Sequence, residues 1–195
     1  MMTDAPREGT ARFDILLAGS LGPAVVSTCS LISDDDVRIV VDPGICARQS
    51  DILDPLRALD LGPDEVTDVV ISHHHPDHTL NVALFPEARV HDHWAIYDFH
   101  GRWDSVDADG RELASSVWLM RTPGHSNEDV TTLAATADGV VAFTHAWWTS
   151  DVPVEDPYCP DPAQLRASRA RLLELADLIV PGHGAPFRPD ESTPR

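Results

Sequence analysis

Residues 73–78 read His73-His74-His75-Pro76-Asp77-His78, and they follow directly on the β-branched run 67–72. We predict that this run is a strand, because Val, Ile and Thr favour extended backbone. Side chains alternate along an extended chain, so His73 and His75 point to one side and His74 to the other. Beyond the turn at Pro76, Asp77 and His78 can face a second position close by. The stretch therefore presents two neighbouring sets of polar side chains at a strand end.

Imidazole and carboxylate groups at this density indicate a metal site. A single histidine at a strand end is usually only a partly buried polar residue. Packing four histidines and an aspartate into six residues is different, because their desolvation is unfavourable unless a positive charge compensates it. Imidazole and carboxylate together suit zinc and other first-row ions. We therefore predict that residues 73–78 bind metal.

Three further histidines also follow predicted strands. His125 ends the run Val117–Thr122 through Pro123-Gly124, His145 follows the run 139–144, and His183 follows Leu178–Val180 through Pro181-Gly182. Loops at strand ends are where a rigid scaffold presents functional groups. We expect these three imidazoles to join the cluster at 73–78.

The sequence resembles the metallo-beta-lactamase-fold hydrolase superfamily. The resemblance rests on three motifs in the family's order and on the earlier turn Val41-Asp42-Pro43-Gly44; the three motifs are His73-His74-His75-Pro76-Asp77-His78, Thr122-Pro123-Gly124-His125 and Pro181-Gly182-His183-Gly184. It extends over about residues 12–188, and residues 176–187 are most similar to one small branch of the superfamily.

The resemblance implies an α/β fold of the α+β kind, a four-layer αββα sandwich with two metals between the sheet ends. It assigns His73, His75 and His125 to the first metal, and Asp77, His78 and His183 to the second. For Asp42 two interpretations stand side by side. Either its carboxylate fixes the histidine loop from behind the ligands, or it is an ordinary turn residue before Pro43-Gly44.

His145 departs from the family pattern. The family has an aspartate here whose carboxylate bridges both metals, whereas a neutral imidazole has one lone pair and binds one metal. His145 could therefore bridge only as imidazolate, complete a four-histidine first site beside a weaker second one, or belong to a single-metal site. It could also be a pocket residue that binds no metal. Asp151, six residues on, is a possible replacement for the missing carboxylate.

The composition of the chain limits its domain organisation and the functions that remain possible. The 195 residues, 43% of them hydrophobic and 24% charged, predict a single domain over 1–195 with loose tails at 1–10 and 189–195. The net charge is −18, and all 14 basic residues are arginines. Without lysine, Schiff-base and P-loop chemistry are excluded. The acidic field makes nucleic acid and anionic membranes poor partners, and no apolar run is long enough to span a bilayer.

The cysteines and the N-terminal residues indicate a cytoplasmic location. Cys29, Cys46 and Cys159 are odd in number and widely spaced, so we expect no disulfide framework. The first residues have no basic segment leading into an apolar run, so we expect no signal peptide.

We expect an enzyme, a metallo-hydrolase in which metal-activated water attacks an ester, lactone, thioester or phosphoester bond of a small molecule. Zinc, as one or two ions, is the expected cofactor, and iron is an alternative. Asp77 is expected to orient the nucleophile as well as bind metal, and His145 is a candidate proton source for the leaving group. The oligomeric state does not follow from the sequence.

Three other functions fit the same motifs. The nearest branch suggests a phosphodiesterase acting on single-stranded RNA, although the chain lacks a basic stripe interleaved with aromatic residues. A non-haem iron dioxygenase is the second, because the same fold hosts such enzymes and a mononuclear, histidine-rich site suits them. The third is a metal-binding protein without turnover.

Several other residues carry weaker expectations. Trp147-Trp148 could line an apolar pocket or pack in the core. Arg188 is expected to be a solvated charge, with contact to an anionic substrate as the alternative. The remaining expectations are surface or strand-packing roles for His91, His93 and His100, and an exposed helix face for Arg166, Arg169 and Arg171.

Overall fold

A computed structural model describes residues 9–195 and contains two β-sheets with helices on their outer faces. The first sheet has seven strands in chain order: β1 (Arg12–Leu17), β2 (Cys29–Asp34), β3 (Val37–Val41), β4 (Asp68–Val70), β5 (Arg89–His91), β6 (Ala95–Tyr97) and β7 (Trp103–Ser105). The second has five, in the order β12-β11-β10-β9-β8: β8 (Glu112–Ala114), β9 (Val117–Arg121), β10 (Val130–Thr136), β11 (Gly139–Thr144) and β12 (Leu178–Pro181). The helices are α1 (Ser50–Ala58), the single turn α2 (Pro76–Thr79) and α3 (Pro162–Leu175), with 3₁₀ turns at Pro63–Glu65 and Val82–Leu84.

Strand direction brings the histidine loops to one edge of both sheets. In the first sheet β3, β4 and β5 are parallel neighbours. In the second, β11 and β12 are parallel, and β9 runs the same way because both β9 and β11 pair antiparallel with β10. The carboxyl ends of β4, β9, β11 and β12 are therefore the points from which the four histidine-bearing loops leave.

Apolar residues fill three layers between and outside the sheets. Alternate residues of each central strand face opposite sides, so that Ile39 and Val41 lie between the sheets while Val40 packs outward. The outer face of the first sheet packs on Ile52 and Leu56 of α1, and that of the second on α3. This arrangement is the four-layer αββα sandwich, and the prediction of the fold class is confirmed.

Helix α3 begins as expected but buries a residue that we assigned to solvent. Asp161 caps it by accepting a hydrogen bond from the amide of Ala163, with Pro162 at the first helical position. The expectation of an exposed face over 166–171 is wrong for Arg169, which is 0% exposed. Arg169 lies four residues after the buried Leu165 and three before Leu172, so helical periodicity places it on the core stripe.

The C-terminal segment is attached to the domain, in contrast to the loose tail expected at 189–195. The indole of Trp147 donates to the carbonyl of Pro194 at 2.8 Å, and Thr193 is buried. At the other end, the first eight residues lie outside the described range. The amide of Ala11 donates to the carbonyl of Ala135, and the hydroxyl of Thr10 donates to Asp34, so the chain is already anchored at residues 10 and 11.

All three cysteines are free thiols, with Cys29 fully buried. No helix within residues 9–195 combines the length and apolar character that crossing a bilayer requires.

Candidate metal centre

Three imidazoles converge on one point where the sheets meet. The Nε2 atom of His73 lies 3.0 Å from Nδ1 of His75, and Nε2 of His125 lies 3.1 Å from that same Nδ1 atom. His73 and His125 are buried, whereas His75 faces solvent. The alternation that places His73 and His75 together and turns His74 away is present as expected.

A second group of possible metal ligands combines Asp77 and His78, on the single turn α2, with His183. The Oδ2 atom of Asp77 lies 3.4 Å from Nε2 of His78 and 3.6 Å from Nε2 of His183. Pro76 begins this turn and directs the two following side chains inward. Nε2 of His78 is buried, and within the described residues it makes no contact with a polar group closer than this approach to the carboxylate of Asp77.

His145 lies between the two groups. Its ring centroid is 4.5 Å from that of His73, 4.3 Å from His125, 4.8 Å from His78 and 5.1 Å from His183. Nε2 of His145 is 3.1 Å from Nε2 of His183, while its buried Nδ1 has no hydrogen-bond partner in residues 9–195. A side chain at position 182 would collide with this ring, so glycine is needed there.

The outward nitrogens of four rings have hydrogen-bond partners, which are acceptors for three of them and a hydroxyl for the fourth. Nδ1 of His125 donates to Asp156, Nδ1 of His183 to the carbonyl of Val26, and Nδ1 of His78 to Asp42, at 2.8, 2.9 and 2.8 Å. Nδ1 of His73 lies 3.1 Å from the hydroxyl of Ser72. Where Nδ1 carries the proton, Nε2 has a free lone pair, and such backing is typical of metal-binding histidines.

Asp42 has a positioning role rather than that of an ordinary turn residue. Its Oδ1 atom accepts from the amide of Ser72 at 2.7 Å, and its Oδ2 atom from His78. Its backbone is left-handed, with φ of 51°, a conformation that aspartate tolerates better than most residues. One carboxylate thus connects the end of β3 to both ends of the histidine loop.

Sequence reasoning missed Asp156. Its Oδ2 atom accepts from His125 and from the indole of Trp148, the latter at 3.0 Å. Asp151, the residue we considered as a replacement carboxylate, is exposed and accepts from the hydroxyl of Thr149. The pattern Val-Glu-Asp-Pro has no motif character, and only the proximity of residues 151–156 to His145 in the chain pointed toward the site.

Burial and mutual repulsion favour neutral rings at the centre. Burial lowers the pKa of His73 and of His145 well below the usual range, and the neighbouring imidazoles lower both further. Burial is also the main reason that the pKa of His75 and of His183 is lowered. Neutral imidazole is the form that binds metal.

At His78, neighbouring carboxylates raise the pKa instead of lowering it. Burial works against its protonation, but the charges of Asp42 and Asp77 outweigh it and raise the pKa of His78 to about 9. Asp77 is affected in the opposite sense: burial disfavours its charge, yet the hydrogen bond and charge of His78 lower its pKa to about 2. Burial raises the pKa of Asp129, 4.0 Å from Nδ1 of His73, to about 6.

The centre forms the floor of an open cavity of about 560 Å³. Its walls are mainly apolar and come from the start of α2 and from the loops after β1, before α1 and before α3: Leu21, Val25, Ile45, Pro76, Trp148 and Tyr158. Of the tryptophan pair, Trp148 lines the cavity and Trp147 packs in the core. Arg188 and His100 are exposed, and neither lines the cavity.

Both the fold and the sequence assign the chain to a known family. Residues 22–116 match the model of the metallo-beta-lactamase superfamily. The mouse protein named metallo-beta-lactamase domain-containing protein 1 is 34% identical over 180 residues, covering 86% of this chain and 68% of its own length. The chain belongs to the metallo-beta-lactamase superfamily.

Among its relatives are several proteins that share the mouse protein's name. The Xenopus laevis protein is 31% identical over 78% of this chain and 68% of its own length. The human protein is 35% identical over 77% of this chain, which spans 59% of the human length.

Solved structures support the fold. An N-acyl homoserine lactone hydrolase with N-hexanoyl-L-homoserine bound at its catalytic metal centre has a TM-score of 0.67 at 19% identity, over 92% of this chain and 94% of the other. A metallo-beta-lactamase-like protein of Thermotoga maritima has a TM-score of 0.72 at 24% identity, over 93% and 100% of the two chains.

Proposed function

We propose that this protein is a zinc-dependent hydrolase that cleaves an ester, lactone or thioester bond in a small, uncharged substrate. The observation that carries the proposal is the convergence of inward ring nitrogens at the cavity floor, with their outward nitrogens held by acceptors. Two buried nitrogens support the fit of a metal to this donor set: within residues 9–195, Nδ1 of His145 has no hydrogen-bond partner, and Nε2 of His78 faces the carboxylate of Asp77, another member of the set.

The expected ligand sets fit the geometry. His73, His75 and His125 would hold one ion, and Asp77, His78 and His183 the other, with His145 between them. When bound, zinc supplies Lewis-acid chemistry and lowers the pKa of water from about 15.7 to about 7.

Asp77 is the residue that we propose to orient the nucleophile. It lines the cavity, and its pKa near 2 keeps it ionised at neutral pH. An ionised carboxylate accepts a hydrogen bond from water and can hold its lone pair toward the substrate. His145 is buried in its neutral form, which has no extra proton to give, so we propose ligation rather than proton donation as its main role.

The residues that line the cavity restrict the chemical class of substrate that it can bind. The apolar part of the cavity wall suits an aliphatic or aromatic substituent. Its lining includes no arginine, and the chain has no lysine, so no cationic side chain there would pair with an anionic group on the part of the substrate that lies away from the metals. The bound product of the homoserine lactone hydrolase, a protein of the same fold, makes an N-acyl lactone a reasonable first probe.

A substrate screen on metal-analysed protein tests the proposal. The panel is an N-hexanoyl lactone, a p-nitrophenyl ester, an acyl thioester, a bis-aryl phosphodiester and a single-stranded RNA oligonucleotide. We expect turnover of one of the first three, lost with the bound metal in His125→Ala and retained in His100→Ala. Hydrolysis of RNA or the phosphodiester alone, or oxygen consumption by the iron form without hydrolysis, would overturn it.

A further inference from the structure

A second cluster of metal-binding side chains lies outside the centre, on the opposite side of the same loop. His74 turns away from His73 and His75 and meets Asp92 and His93, which follow β5 directly. Strands β4 and β5 are parallel neighbours, with Val70 opposite His91, so their carboxyl ends bring residues 74 and 92–93 together.

The three donors are close enough for one ion. Nε2 of His74 lies 3.3 Å from Oδ2 of Asp92, and all three ligand atoms lie within 4.8 Å of one another. Ligands about 2.0–2.1 Å from a tetrahedral zinc ion are roughly 3.4 Å apart. The ring of His74 is 46% exposed and can rotate, so small side-chain adjustments close the remaining distance.

Asp92 is fixed in an orientation that leaves one oxygen available. Its side chain is 2% exposed, and its Oδ1 atom accepts from the amides of Trp94 and Ala95 at 3.0 and 2.8 Å. Oδ2 is therefore presented to His74 without cost in side-chain entropy.

His93, the third member of the cluster, has a ring nitrogen that the described residues leave unpaired. Its Nδ1 atom is buried and has no hydrogen-bond partner within residues 9–195. Its carbonyl accepts from the amide of Ala108, which holds the backbone in place. Buried polar atoms without partners are uncommon and need an explanation, which a metal would provide.

We propose that His74, Asp92 and His93 form a peripheral site for a zinc-class divalent cation, separate from the metal centre. Two imidazoles and a carboxylate are a donor set that suits zinc, copper or nickel more than magnesium or calcium. A bound ion would connect the loop that carries His73 and His75 to the end of β5. It would therefore restrict the movement of these two ligands of the metal centre.

Zinc stoichiometry of the 195-residue chain tests this site without reference to hydrolysis. Protein equilibrated with buffered free zinc is analysed for metal, and affinity is measured by competition with a chromophoric chelator. We expect His74→Ala, Asp92→Asn and His93→Asn each to lose the same single equivalent, while His100→Ala loses none. We also expect His125→Ala to keep that equivalent, and the double variant His74→Ala/His125→Ala to lose it.

The outcome separates this site from the centre. If the three peripheral variants bind as much zinc as the natural protein, at affinities within twofold, the site does not exist. Loss confined to His74→Ala would also overturn the proposal, because it would reflect damage to the adjacent central ligands rather than removal of a shared ion.

Discussion

Nδ1 of His125 donates to Oδ2 of Asp156 at 2.8 Å, and both side chains are almost fully buried. The indole of Trp148 donates to the same oxygen, so one carboxylate fixes a proposed metal ligand and a cavity wall together. In proteins that bind zinc through histidine, a carboxylate behind the ring sets its tautomer and raises its basicity. The loop 146–161 therefore acts on the centre although it contributes none of the clustered ligands.

Replacing Asp156 by Asn should weaken zinc binding at the position of His125 by about 10–100-fold, the usual effect of losing such a partner. The amide can still accept a hydrogen bond, but it brings no charge. Chelator competition measures the change. Asp151→Asn is the matched control, since that carboxylate is exposed in the same loop. Equal affinity in both variants would contradict the role assigned to Asp156.

Arg169 also holds the loop 146–161 in place, through hydrogen bonds to its backbone carbonyls. Its Nε donates to the carbonyl of Ala146 at 2.8 Å, and its terminal nitrogens donate to Val154 at 3.0 Å and Pro153 at 2.8 Å. The guanidinium also lies over the ring of Trp147, 5.5 Å from its centroid. This arrangement needs a planar group with several donors, which lysine cannot replace.

We expect Arg169→Lys to destabilise the fold by about 2 kcal/mol, because a lysine cannot satisfy all three carbonyls, and a buried one such as that of Ala146 costs about 1–3 kcal/mol when it loses its partner. Urea unfolding measures the free energy. Arg166→Lys, exposed on the same helix, should change it by less than about 0.5 kcal/mol. An equally small effect at both positions would mean that water replaces the guanidinium.

The carboxylate of Asp34 is expected to contribute to the stability of the fold in a way that is lost at acid pH. It accepts from the hydroxyls of Thr10 and Ser115 and from the amide of Ser116, at 2.6, 3.0 and 2.8 Å. Burial works against its charge, but these hydrogen bonds outweigh it and lower its pKa below the ordinary 3.8. The contribution is therefore complete above pH 3.8 and is lost as the pH falls through the folded-state pKa.

Asp34→Asn should be less stable than the natural protein at neutral pH by about 1–3 kcal/mol, with the difference shrinking below pH 4. Denaturant unfolding across that range measures it. Asp36→Asn, at an exposed position on the same hairpin, should show no such convergence. A difference that stays constant with pH would exclude linkage to the Asp34 carboxyl.

The sequence predicts a structural feature correctly where the local residue pattern is compatible with only one backbone conformation. Side-chain alternation predicts the opposite directions of His73 and His74, and the structure has them although β4 already ends at Val70. The four-layer fold does not follow from the strand patterns; it is what the family resemblance implies, and that resemblance rests on the histidine motifs. The helix cap at Asp161 follows from the Asp-Pro pair.

Contacts between distant segments could not be predicted in this way. Asp156 meets His125 across 31 positions, and Pro194 meets Trp147 across 47, with no periodicity to connect them. The charge of Arg169 predicts a solvent-exposed side chain, because the loop carbonyls that accept its hydrogen bonds cannot be located from the sequence. Short strands such as Ala95–Tyr97 and Trp103–Ser105 were missed because three residues carry too little pattern.

His145 gives the clearest prediction about metal occupancy. It lies between the two ligand groups, where the family pattern has a bridging carboxylate. An aspartate would bring one negative charge and two oxygens, whereas the neutral ring brings one lone pair and no charge. The first position keeps three imidazoles, but the second keeps only Asp77, His78 and His183 without a shared anion. We therefore expect the second ion to be lost first under mild chelation.

Replacing His145 by Asp should raise zinc affinity at the second position by at least tenfold, because the added charge lies between two cations and is shielded from water by the surrounding rings. Stepwise zinc titration of both proteins measures the two affinities, and His145→Ala separates gained charge from lost bulk. Two equally tight ions in the natural protein, with no gain in His145→Asp over His145→Ala, would show that position 145 does not control the second site.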